Sequence, residues 1–70
     1  MQKNESLWVV IHMAHSQERA DQALELLTKE GFMVKVRPVN RALGAEACYE
    51  VLALNSEAKE ARDLLHEMGF

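Results

Sequence analysis

A single cysteine, Cys48, stands in the whole chain, so no internal disulfide can form and no oxidised framework points to an extracellular setting. A reducing cytoplasm is the expected compartment. Positive charge is also scarce: eight Lys and Arg face eleven Asp and Glu, a formal net charge of −3. That balance offers no global field for nucleic acid or an anionic membrane, and neither is expected as a partner. No apolar stretch approaches the ~18 residues of a membrane span, and the run Leu7 to Met13 is too short and too early for a signal peptide. Seventy residues leave room for one core. A domain of this size buries only about 60% of its unfolded surface, so self-association is expected to matter for its stability.

What is present reads as a β-α-β-β-α order. Met1 to Ser6 is polar and aperiodic and is read as a flexible tail, with residues 7 to 70 forming a single domain. Leu7-Trp8-Val9-Val10-Ile11-His12-Met13 is a short apolar, β-branched run and predicts the first strand. Ser16 can accept from the free N–H groups of a following helix. Ala20, Ala23, Leu24 and Leu27 recur on one helical face, and Gly31 ends the helix over Ser16 to Glu30. The second strand is expected over Phe32 to Pro38, at a sheet edge because Pro38 cannot donate to a ladder. Cys48 to Leu54 predicts a central third strand. Ser56 is expected to cap a second helix bearing Ala58, Ala61, Leu64, Leu65 and Met68, with Gly69 at its end. The connection Asn40 to Ala47 is long beside the ~2–5 residues of most hairpins, which makes it a functional candidate.

A weak internal repeat relates the halves. Val9 to Ser16 aligns with Tyr49 to Ser56, and each leads into a helix closing with Leu-Leu, three residues, then Gly-Phe. Two β-α units with a strand inserted between them describe a two-layer α+β sandwich, a truncated ferredoxin-like fold lacking the fourth strand. Right-handed crossovers then predict a three-stranded antiparallel sheet of order 2-3-1 with both helices on one face.

Alternation along the strands predicts the surfaces. Leu7, Val9, Ile11 and Met13 are expected under the helices, together with Tyr49, Val51, Ala53, Val34 and Val36. The helix-free face receives Trp8, Val10, His12, Met33, Lys35, Arg37, Glu50 and Leu52, with Cys48 at its end. Apolar exposure of that extent marks an interface, and this set is the expected interaction face.

No motif for catalysis emerges. His12 and His15 are too close along a strand end to share a metal without a bend, and no second Cys or acidic pair accompanies them, so no metal site is expected. Cys48 has no identifiable activating partner and reads as an apolar filler. Lys35 and Arg37 stand opposite Glu50, where cross-strand charge pairing accounts for them. Asn40, Arg41 and Gly44 form a candidate anion site in the long connection, without a Gly-rich phosphate fingerprint. Trp8 and Tyr49 fall on opposite faces, which argues against a base-stacking platform for RNA.

The pattern of a Ser-capped helix ending LLTKEGF, a strand VKVRPV and the segment CYEVLALNSEAKEARDLL resembles a family of short bacterial proteins described as signal-transducing domains of unknown function. The likeness covers nearly the whole chain and rests on structural motifs. Members look like truncated relatives of PII signalling proteins, whose effector loop also joins strands two and three; the corresponding position is Asn40 to Ala47. The chain departs from PII in lacking the final strand and a nucleotide-binding motif. Similar short chains carry the label glutamate decarboxylase, but a pyridoxal-phosphate enzyme needs a Schiff-base lysine in a large pocket that seventy residues scarcely enclose.

The expectation is therefore a non-enzymatic regulatory or protein-interaction module without a cofactor. It is expected to bind a protein partner or to form a homodimer, by strand-one edge pairing or through the open faces around Trp8, Val10 and Leu52. The alternative is a PII- or ACT-like sensor of a small anionic ligand.

Overall fold

A computed structural model describes residues 7–39 and 48–70. Its elements are β1 (Trp8–Ala14), α1 (Gln17–Lys29), β2 (Val34–Val39), β3 (Cys48–Leu54), a 3-10 turn (Asn55–Glu57) and α2 (Ala58–Glu67). The expected tail Met1 to Ser6 and the connection Asn40 to Ala47 lie outside the described residues. The three strands form one antiparallel sheet of order β1-β3-β2, which is the order inferred from sequence. α1 packs over β2 and β3, and α2 over β1 and β3, so the helices form one layer of an α+β sandwich.

The Leu-Leu…Gly-Phe repeat has a local cause. At the end of α1 the Phe32 N–H donates to the Leu27 carbonyl at 3.0 Å and the Gly31 N–H to that of Thr28 at 3.0 Å. At the end of α2 Phe70 donates to Leu65 at 2.9 Å and Gly69 to His66 at 3.1 Å. Both ends are Schellman caps, in which the residue at the turn must enter the left-handed region. Gly31 (φ 95°) and Gly69 (φ 92°) do so without a Cβ penalty. Each following Phe folds back onto the core, completing the hydrophobic contact of the motif.

The two helix starts differ. Ser16 caps α1 as expected, its Oγ accepting from the Arg19 N–H at 3.1 Å. The expected cap by Ser56 is not formed: Ser56 lies inside the 3-10 turn, and α2 begins at Ala58 without a side-chain cap. The tighter turn supplies its own backbone bonding. Glu57 instead accepts from the Met33 N–H at 3.1 Å, tying the entry of β2 to the start of α2.

The expected alternation in β1 breaks at its centre. Trp8, Val9 and Val10 oppose Leu54, Ala53 and Leu52, whereas His12, Met13 and Ala14 oppose Val51, Glu50 and Tyr49. The register shift is a β-bulge that sets Ile11 and His12 together against Val51. Beyond it every side chain changes face. Met13, expected in the core, is on the open face and 37% exposed, while His12, expected on the open face, turns to the helix side and meets Phe70. Leu7 also falls outside the expected core: it precedes the strand and is 68% exposed.

The core comprises Ile11, Ala23, Leu27, Val51, Ala53, Ala58, Ala61 and Leu65, flanked by Val9, Val34, Val36 and both phenylalanines. Half the buried apolar residues among those described are alanines, so the helices lie close to the sheet and the core is thin. Leu27 and Val51 are the largest fully buried side chains, each worth about 1.5–3 kcal/mol of burial. Among the described residues no helix is long and apolar enough to cross a membrane.

Candidate functional site

The helix-free face is organised in rows running across β1, β3 and β2. Trp8 and Leu54 form the first, with Met33 just ahead of β2 at the same end. Val10, Leu52 and Lys35 form the second, and Met13, Glu50 and Arg37 the third. Cys48 and Val39 form the last, with His15 beside Cys48.

The two cations of β2 are held by partners on the neighbouring strands. Arg37 on β2 bonds Glu50 through both Nε, at 2.9 Å, and Nη2, which places the pair on the cross-strand geometry expected from sequence. Lys35 reaches diagonally over β3, its Nζ 4.5 Å from the centroid of the Trp8 ring. Leu52 stands on the expected face between Val10 and Lys35 and is only 4% exposed. Val10 is 38% exposed and Met33 58%. Both cations thus reach inward from β2, the Lys35 ammonium to Trp8 on β1 and the Arg37 guanidinium to Glu50 on β3.

Of the expected interaction set, Trp8, Val10, Lys35, Arg37, Glu50 and Leu52 share this face, and Met33 stands at its end. His12 leaves it and Met13 joins it, both because of the bulge. Neither glycine nor proline marks that bulge in the sequence, so strict alternation could not find Met13. Asn40, Arg41 and Gly44 lie outside the described residues.

His15 Nδ1 lies 3.9 Å from Cys48 Sγ at the end of the face, and Cys48 is buried. Among the described residues no three His, Cys, Asp or Glu side chains gather at metal-binding distance.

A second cluster lies on the helix side. Phe70 presents its ring to His12 in an edge-on contact at 6.0 Å, and Arg19 stacks over it at 4.2 Å. Arg19 also bonds Gln22 at 3.2 Å and the Gly69 carbonyl at 3.5 Å, which holds the α2 end against the start of α1. Partial burial, then the charge of Arg19, then His15, keeps the His12 pKa below its ordinary value. Beside this cluster a shallow depression of about 540 Å³ has Arg19 and Lys29 offset by Glu25 and Glu30. Its charges balance and it selects no ligand of one sign.

With this geometry in hand, comparison with family models, curated proteins and solved structures finds no match to the chain.

Proposed function

We propose that this chain is a non-enzymatic regulatory or protein-interaction module of truncated ferredoxin-like, PII-related architecture. It works through the open sheet face together with the connection between β2 and β3. The observation that carries this reading is the gathering of the exposed apolar side chains Val10, Met13 and Met33 on or beside one sheet face, which also holds Lys35 and Arg37. A sheet face that served only to cover a core would carry polar residues at those positions. The cytoplasm is the proposed setting.

Capture of cellular proteins on the immobilised chain tests this reading. Val10→Glu and Met13→Glu are expected to abolish specific capture, while Met68→Glu, on a residue more exposed than either but at the end of α2, leaves it intact. Equal capture by all three variants refutes the proposed face. A thermal-shift screen against nucleotides and amino acids tests the rival sensor, in which Asn40, Arg41 and Gly44 hold an anion. A ligand at about 100 times its Kd adds roughly 2.7 kcal/mol of stability, a shift this reading does not expect.

A further inference from the structure

We draw no further inference here: the strongest candidate, the helix-free sheet face around Val10, Met13 and Met33, belongs to the site already described, and nothing in the structure shows what covers it.

Discussion

Lys35 Nζ and the Trp8 ring meet at 4.5 Å across the full width of the sheet, closing over the Leu52 side chain between them. A central strand with a helix-free face would leave Leu52 open to water; the ammonium and its aliphatic stem cover it instead. Lys35→Glu is expected to lose about 0.5–1 kcal/mol of stability and to red-shift Trp8 fluorescence, while Lys35→Arg retains both properties. Unchanged emission and iodide quenching in Lys35→Glu would show that the bridge is not maintained in solution.

The helix starts make an internal comparison. Ser16→Ala removes an acceptor used by the Arg19 N–H and should cost about 1 kcal/mol in urea unfolding. Ser56→Ala should stay within ~0.5 kcal/mol of the wild type, since Ser56 supplies no cap. A larger loss at Ser56 than at Ser16 would contradict both assignments.

Gly31 and Gly69 have open space where a Cβ would stand, so substitution there meets a backbone penalty without a steric clash. Gly31→Ala and Gly69→Ala are each expected to lower stability by about 1 kcal/mol, from forcing an L residue into the left-handed region. Gly31→Asn should lose less than Gly31→Ala, because Asn tolerates that region better. Equal stability of wild type and both alanine variants would rule out the Schellman geometry.

Protonation of His12 should weaken the fold. Its folded pKa lies below the ordinary 6.5, chiefly through partial burial and then through Arg19 and His15. Between those two values the unfolded chain binds more protons, so stability is whole above pH 6.5 and falls as pH drops through that window. The charged and titratable groups around the ring are Arg19 at the start of α1 and His15 at the end of β1. Urea unfolding from about pH 7.5 to pH 5 should show this slope, and His12→Gln should reduce it; an identical slope in both proteins would refute the assignment.

Much of the fold was legible because its signals are local. The β-branched run in β1, the Ser16 cap and the Gly-Phe closures each act within a few residues, and these short-range preferences were enough to order the elements and the sheet. The pairing of Arg37 with Glu50 was also readable, since it follows from opposite charges on the neighbouring strands β2 and β3. The Ser56 cap failed for a reason equally local: a 3-10 turn competed with the capped helix start, and the serine preceding the helix looked the same in either case.

The sequence by itself determined which segments are strands and helices, where the helices stop, and that one face of the sheet carries both apolar and basic residues. Only the tertiary structure decided which residues of β1 occupy that face. A strand's alternation holds while its ladder stays in register, and the shift between Val10 and His12 reverses it for the rest of β1. Ile11 and His12 both turn toward the helices, where the core receives Ile11 and Phe70 receives His12. Met13 is thereby delivered to the open face. That choice depends on packing between β1, α2 and the second Schellman turn, contacts distant in sequence that no local pattern encodes.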